Sequence, residues 1–188
     1  MGLFFNQTLC DDLYRYEGKR SKSLKVRLKY VFFVPGYTYI FFMRHAKSSR
    51  GKFGHAIWVA LLQVTKYITN IQIPWKTRIG RGFRILHFGT IVIHTDTLIG
   101  ENFNIAQGCL IGKAQGKRKG VPVIGNNVCM NANSIIIGKV HIGNDVLIAP
   151  GAFINFDVPD NSIVIGNPGK IIPRESSPTE KYIVYPVK

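Results

Sequence analysis

The sequence has few acidic residues. Its 188 residues include 10 aspartates and glutamates against 25 lysines and arginines, which gives a formal net charge of +15 at pH 7. An excess of this size predicts anionic partners, namely nucleic acid, an anionic membrane surface or phosphorylated small molecules. Because a solvated basic face has the same composition, charge alone does not choose among them.

Cysteines and long apolar runs are also scarce. The three cysteines, Cys10, Cys109 and Cys129, neither pair evenly nor have metal-ligand spacing, so no metal site is expected and a reducing, cytoplasmic compartment fits best. The longest apolar run, residues 30–43, is interrupted by a Pro-Gly pair and is shorter than the roughly 20 residues of a spanning helix. No secretory leader is evident at the N-terminus.

A six-residue spacing of aliphatic residues dominates the rest of the chain. It is unbroken at Ile124, Met130, Ile136, Ile142, Ile148 and Ile154. The fifth position of each unit is small or β-branched in the same stretch, and upstream residues carry the spacing in two phases, Ile73 to Ile91 and Ile93 to Ile111. Neither a helical nor a simple strand period fits. Two coupled six-residue registers predict a mainly β fold, a parallel β-helix of hexapeptide repeats.

The pattern predicts three parts. Residues 1–70 form a basic, aromatic and helical segment, residues 71–160 carry the repeat with a polar excursion at 112–123, and residues 161–188 form a turn and a short tail. Two alternatives are open for the first part. Its aromatic and basic side chains lie peripherally at the inner face of a membrane, or its helices pack on one another and on the coil.

Two irregularities interrupt the repeat. The phase slips by two residues between Ile91 and Ile93, and the excursion leaves the coil one turn later. With three units per turn, both follow a unit of the third side, which predicts that they meet at one corner. His87 and His94 flank the slip and are therefore predicted to border that corner.

A histidine at such a corner is a candidate general base, because a neutral imidazole accepts a proton near neutral pH. Ordinary surface packing is the alternative for a single histidine. Gln107 is the third residue of its unit, as His87 is of its own, so we expect the two side by side. Gln107 would then fix the imidazole or contact the acceptor, or else be a polar position without a catalytic part.

Two stretches carry a family resemblance, RIGRGFRILHFGTIVIHTDTLIGENFNIAQGCLIG at residues 78–112 and the run that closes with IGNPGKI at residues 165–171. They resemble the serine acetyltransferase branch of the hexapeptide-repeat acyltransferases, and more closely those that O-acetylate bacterial surface polysaccharides. The resemblance implies a left-handed parallel β-helix, a homotrimer, and direct acetyl transfer from acetyl-CoA to a saccharide hydroxyl. His87 would be the base, and His94 a wall residue or an alternative base.

The same resemblance implies a binding site for CoA, whose phosphates suit basic side chains. The residues implied as CoA contacts are Gly112, Lys113, Ala132, Ala149, Lys170 and Arg174.

The sequence departs from the true serine acetyltransferases at positions whose side chains orient the base and bind the charged ends of the serine substrate. Leu86 stands where they have an aspartate before the histidine, and Gly120 and Val121 stand where they have an Arg-His pair. A zwitterionic acceptor loses those anchors, so a saccharide is the expected acceptor. Serine O-acetylation and a noncatalytic binding protein are the alternatives. Nucleic-acid binding is not expected, because no reader motif accompanies the charge.

Overall fold

A computed structural model describes residues 5–188. The helices are α1 (Gln7–Glu17), a 3₁₀ turn (Gly18–Lys22), α2 (Leu24–Phe33), α3 (Pro35–Ser48) and α4 (Lys52–Thr69). The strands that follow are β1 (Ile71–Gln72), β2 (Arg78–Ile79), β3 (Arg84–Ile85), β4 (Ile91–Ile93), β5 (Leu98–Ile99), β6 (Asn104–Ile105), β7 (Leu110–Gly112), β8 (Val123–Ile124), β9 (Cys129–Met130), β10 (Ile135–Ile137), β11 (His141–Ile142), β12 (Leu147–Ile148), β13 (Phe153–Ile154), β14 (Ser162–Ile165) and β15 (Lys170–Pro173).

The helix ends follow from local chemistry. The Asn6 side chain accepts the Leu9 amide hydrogen at 2.9 Å and caps the start of α1. Pro35 occupies the first turn of α3, where its missing amide hydrogen costs nothing. Asn70 adopts a left-handed backbone conformation and ends α4, which leads the chain directly into the first strand.

The strands form three parallel sheets, which are the sides of a three-sided coil. Side one contains β1, β4, β7, β10 and β13, side two contains β2, β5, β8 and β11, and side three contains β3, β6, β9, β12 and β14. β15 runs antiparallel to β14 and ends side three. From β1 to β13, successive strands belong to successive sides, so the chain completes one turn every three strands.

One aliphatic residue of each strand lies on the coil axis. On side three these residues stack in register and are all nearly inaccessible to solvent, namely Ile85, Ile105, Met130, Ile148 and Val164. The fifth-position residues, from Val128 to Val158, are buried as well. Burial of each aliphatic side chain stabilises the coil by roughly 1.5–3 kcal/mol.

The phase slip lies between β3 and β4, because Ile85 pairs with Ile105, twenty positions later, whereas Val92 pairs with Leu110, eighteen positions later. Ile91 pairs with Ile71 of the turn below, whereas Ile93 pairs with Ile111 of the turn above. Ile91 and Ile93 are both buried. A strand of three residues therefore ends one aliphatic column and begins the next.

The corners between side two and side three need glycine. A Cβ added to Gly100 would lie 2.6 Å from the Gly125 carbonyl oxygen. The residue after each glycine forms a ladder, in which the Glu101 amide donates to Asn126 Oδ1 at 2.8 Å and the Asn126 amide to Asn144 Oδ1 at 2.9 Å. The next residue is left-handed in each turn, at Asn102, Asn127, Asp145 and Asn161. Asn and Asp tolerate that conformation better than other side chains.

A buried ion pair joins the helices to the first turn of the coil. Arg44 Nε lies 2.8 Å from Asp12 Oδ2, and both side chains are almost fully buried. Arg44 also donates to the Ile79 carbonyl at 2.7 Å, and Asp12 accepts the Phe83 amide hydrogen at 2.8 Å. The helical segment is therefore fixed on the lower end of the coil.

The aromatic residues of α2 and α3, on either side of Pro35, differ in exposure. Those of α3, including Tyr37, Tyr39 and Phe41, are buried, which agrees with internal packing. Phe32 and Phe33 of α2 are exposed. No helix within residues 5–188 is both long enough and apolar enough to cross a bilayer.

The C-terminal tail folds back over side three, which the sequence did not predict. Arg15 Nε donates to the Val184 carbonyl at 2.9 Å, and the Val187 amide donates to Asn102 Oδ1 at 2.8 Å. Tyr185 packs edge-on against Tyr14 of α1. The tail therefore bridges the helical segment and the coil.

Candidate active site

Two corners of the coil carry the residues predicted to act. The histidine corner joins side three to side one and comprises residues 86–90, 106–109, 131–134, 149–152 and 166–169. The excursion corner joins side one to side two and comprises residues 73–77, 94–97, 113–122, 138–140 and 155–157.

His87 lies at the lower end of the histidine corner. Its side chain is exposed, and no hydrogen bond to the imidazole is found among residues 5–188. Leu86, just before it, packs on the buried cluster that contains Cys129 and Ile183. The imidazole is therefore accessible to a substrate, and an apolar residue stands beside it.

Gln107 lies one turn above His87. Strands β3 and β6 pair Ile85 with Ile105, twenty positions later, which would set residue 87 below residue 107. The backbone leaves that register within the corner, because the Gly108 amide donates to the Gly89 carbonyl at 3.1 Å, nineteen positions apart, and Val92 pairs with Leu110, eighteen positions later. The prediction that Gln107 lies directly beside His87 is therefore wrong in register, since two extra residues enter the lower turn there, and the role of Gln107 stays a prediction.

His94 lies at the excursion corner, not beside His87. The two histidines stand at opposite ends of β4, so the prediction that both border one corner is wrong. The physical reason is that each strand carries the chain from one corner to the next. The His94 imidazole is partly exposed, and its Nδ1 accepts the Asp96 amide hydrogen at 3.2 Å.

The excursion leaves the coil after Gly112 and rejoins it at Val123. Ala114 and Gly120 form an antiparallel bridge, which makes it a short hairpin. Arg118 reaches Asp157 of a higher turn at 3.3 Å, and the Lys139 amide donates to the Arg118 carbonyl at 2.8 Å. The lysines of the hairpin are exposed and form no ion pair within the described part of the chain, and they are Lys113, Lys117 and Lys119.

The structure separates the predicted CoA contacts into three groups. Ala132 and Ala149 lie at the histidine corner, above Gln107. Lys170 follows the turn at the top of this corner, where the Gly169 amide donates to the Phe153 carbonyl at 3.0 Å. Arg174 lies at the other end of β15. Its amide donates to the Asn161 carbonyl at 2.8 Å, at the corner between side two and side three.

The remaining two predicted contacts, Gly112 and Lys113, lie at the excursion corner with His94.

The histidine corner of one chain carries, from the lowest turn to the highest, His87, Gln107, Ala132, Ala149 and Lys170. Four turns at the usual strand spacing make this line about 19 Å long. A long, flexible cofactor arm fits such a line.

A cavity of about 520 Å³ lies at the excursion corner, and the sequence did not predict it. Its polar and aromatic lining includes Gln63, Lys66, Gln72, Trp75, His94 and Thr95. The residues come from α4, from the segment after β1 and from the end of β4. They are far apart in the sequence, which is why no local pattern revealed the cavity.

Cys109 is a packing residue, as its inward position predicts. Its side chain is fully buried, and Sγ donates to the Asn131 carbonyl at 3.1 Å. Burial raises the pKa of the Cys109 thiol, which disfavours the nucleophilic thiolate. Residues 5–188 contain no group of three or more His, Cys, Asp or Glu side chains suited to hold a metal ion.

Comparisons with known proteins were made on sequence and on structure. No family model matches the chain. A serine acetyltransferase of Helicobacter pylori strain 26695 is 35% identical over 119 residues, which are 62% of this chain and 68% of that protein.

Solved structures show the same fold at lower identity. A serine O-acetyltransferase from Brucella melitensis superposes with a TM-score of 0.72 at 23% identity, over 90% of this chain and 67% of that one. A serine acetyltransferase in complex with CoA gives 0.69 at 19% identity, over 88% of this chain and 68% of that one. These likenesses confirm the predicted left-handed parallel β-helix.

The relatives support one expectation only in its coarser form. The finer resemblance to surface-polysaccharide O-acetyltransferases finds no support, because the relatives named above are serine acetyltransferases. The coarser prediction, a hexapeptide-repeat enzyme that uses acetyl-CoA, is confirmed. Because the chain is 35% identical to the Helicobacter pylori enzyme and covers 68% of its length, it belongs to the serine acetyltransferase family. Its activity is acetyl-CoA-dependent O-acetyl transfer.

Proposed function

We propose that His87 is the general base of a direct acetyl transfer from acetyl-CoA to an acceptor hydroxyl. The observation that carries this proposal is the exposed imidazole at the lower end of the histidine corner, with Gln107, Ala132, Ala149 and Lys170 in line above it. The cofactor would extend along that line, with its phosphates toward Lys170 and its thioester toward His87.

The proposed reaction has one transfer step. His87 takes the proton from the acceptor hydroxyl while the oxygen attacks the thioester carbonyl carbon. The carbon–sulfur bond then breaks, CoA leaves as a thiolate, and the proton held by His87 passes to the sulfur. The products are an acetyl ester and CoA. Proton removal by a positioned base commonly contributes about 10² to 10⁴ in rate.

A second copy of the chain would complete the site. Within one chain, His87 and the basic hairpin lie at different corners, so both face one cofactor only if another copy presents its excursion corner to this histidine corner. A homotrimer, in which each histidine corner meets a neighbour's excursion corner, is the arrangement that we propose. The cavity beside His94 would then lie in the shared site and receive the acceptor.

L-serine is the first candidate acceptor, since the similar proteins are serine acetyltransferases. Lys66, in the cavity lining, offers a cation for the carboxylate of serine. The ammonium group of serine would require a partner from elsewhere in the assembly, because the cavity lining within the described residues contains no carboxylate.

A saccharide hydroxyl is the second candidate, and the same lining favours it. Gln63, Gln72 and Thr95 supply neutral hydrogen-bonding groups, and Trp75 supplies an aromatic surface. Leu86 beside the base adds no charge. These groups suit a neutral polyhydroxyl acceptor better than a zwitterion.

An acetyl-CoA turnover assay separates the two acceptors. CoA release is measured with L-serine, with free mono- and oligosaccharides and with nucleotide sugars, for the wild type and for Lys66→Ala. A serine enzyme turns over with L-serine and loses affinity for it in Lys66→Ala. A saccharide enzyme ignores L-serine. The absence of CoA release with every acceptor, in a protein that binds acetyl-CoA, would contradict the proposal.

A further inference from the structure

Helix α2 presents an apolar face to solvent. Its inward face carries Val31, which is buried, and Arg27, whose Nε donates to the Ser21 carbonyl at 3.1 Å. The outward side chains follow at steps of four residues and at the helix end, with exposed fractions of 68% at Leu24, 47% at Leu28, 70% at Phe32 and 78% at Phe33. Four large apolar side chains thus lie on one unpartnered side of a ten-residue helix.

Lysines border this apolar row. Lys25 and Lys29 lie one position after Leu24 and Leu28, and Lys22 precedes the helix. All three are exposed, and none forms an ion pair within residues 5–188. The acidic side chain nearest in the chain, Glu17, lies 3.7 Å from Arg20 and accepts from the Tyr30 hydroxyl at 2.9 Å. The row therefore has an uncompensated positive border.

A shallow groove of about 710 Å³ runs along this face, between Arg20, Lys25, Lys29 and the two phenylalanines. An apolar partner alone would not need the lysines, and an anionic partner alone would not need the exposed rings. A surface of anionic phospholipid has both an apolar interior and a negative border, so it matches the face on both counts.

We propose that the face formed by Lys22, Leu24, Lys25, Leu28, Lys29, Phe32 and Phe33, here called the α2 face, docks on an anionic phospholipid surface. The helix lies in the plane of the interface, because ten residues make only about 15 Å of helix and cannot span a bilayer. The apolar side chains enter the boundary of the acyl chains, and the lysines contact lipid phosphates. The acetyl transfer site is not part of this contact.

Vesicle co-sedimentation of the full chain tests the proposal. Vesicles of phosphatidylcholine with phosphatidylglycerol should bind the protein at low salt, and vesicles of phosphatidylcholine alone should bind it weakly. High salt should release it, because salt screens the lysine contribution. Equal binding to both kinds of vesicle, or no binding to either at low salt, overturns the proposal.

Two pairs of variants locate the contact. Lys25→Glu with Lys29→Glu should lower the partition coefficient at least about 25-fold, since each lysine near an anionic surface contributes about fivefold. Its control, Lys181→Glu with Lys188→Glu, changes the net charge equally at two exposed lysines of the C-terminal tail. Phe32→Ser should lower partitioning about tenfold or more. Its control is Phe53→Ser on α4, because Phe53 is 81% exposed and lies outside the α2 face.

Two results would overturn the assignment to the α2 face. In the first, the controls release the protein as strongly as the α2 variants. In the second, the α2 variants change the oligomeric mass measured by light scattering, which would make the face a contact between copies of the chain. Turnover with a soluble acceptor should be the same in all four variants, so this test is independent of the role of His87.

Discussion

Gln107 is the exposed amide on the turn above His87 at the same corner, and no carboxylate among the described residues hydrogen-bonds the imidazole. An amide fixes the ring by a hydrogen bond without adding charge. We predict that Gln107→Ala lowers kcat about 2- to 10-fold, the range of one lost hydrogen bond, and leaves the oligomeric mass unchanged. Gln7→Ala, at an exposed glutamine of α1 outside both corners, is the control. Unchanged kinetics in Gln107→Ala would show that Gln107 is a polar position of the coil with no part in catalysis.

The two coil thiols should be unreactive in the native protein. Burial raises the pKa of Cys129 to about 11 and raises that of Cys109 as well, so neither carries much thiolate near neutral pH. Titration with Ellman's reagent should detect at most the partly exposed Cys10 at once, and all three thiols after denaturation. Rapid reaction of two or more thiols in the folded protein would contradict the packing of the coil.

The Asp12–Arg44 pair should contribute strongly to stability. Asp12→Asn leaves the Arg44 charge buried without its partner, so we expect the free energy of unfolding to fall by about 3–5 kcal/mol. Glu101→Gln removes a carboxylate from a more exposed arginine, Arg81, at 3.0 Å, and should cost no more than about 1 kcal/mol. Urea unfolding of both variants measures the difference, and equal effects would show that burial of the pair is unimportant.

At the scale of the elements, the glycine corners are the most sensitive positions of the coil. Gly100→Ala forces a Cβ against the Gly125 carbonyl, where the two atoms would be 2.6 Å apart. We expect a loss of about 1–3 kcal/mol in the free energy of unfolding, as for other overpacked sites. Gly116→Ala is the control, because an added Cβ there meets nothing within 4 Å. A more stable Gly100→Ala variant would refute this account of the corner.

The sequence predicted the coil well because its physical signal is periodic. Ile124 to Ile154 repeat at six residues since each side of the coil needs one axial side chain, and the pairing of β9 with β12 preserves that register. The same reasoning predicts Gln107 directly above His87, but the two-residue slip shifts the register there, since the Gly108 amide bonds the Gly89 carbonyl. Period alone does not say at which end of a strand a residue lies, and for that reason His87 and His94 were assigned to one corner incorrectly.

Other features depend on contacts that are distant in the sequence. The cavity beside Trp75 needs α4 and β4 together. The tail reaches Asn102 through Val187, 85 positions away. The division of the aromatic residues between α2 and α3 depends on which helix covers which, and an amphipathic pattern cannot determine that. These parts of the fold required the structure.

At the scale of the whole molecule, a site shared between copies predicts complementation. His87→Ala and the hairpin variant Lys113→Glu with Lys117→Glu should each be inactive alone. Co-expressed in equal amounts, they should regain about a quarter of the wild-type activity, because one site in four then combines an intact histidine with an intact neighbouring hairpin. Mixing the two purified variants without subunit exchange should restore nothing. Absence of recovery in co-expressed, mixed oligomers would place both groups in one chain's site.

The most direct test of the central claim is the turnover of acetyl-CoA by His87→Ala with the acceptor that the wild type uses. CoA release should fall about 10² to 10⁴-fold, while acetyl-CoA binding and oligomeric mass stay unchanged and His141→Asn, at an exposed histidine of side two, stays fully active. Turnover by His87→Ala within about twofold of the wild type would contradict the claim that His87 is the base.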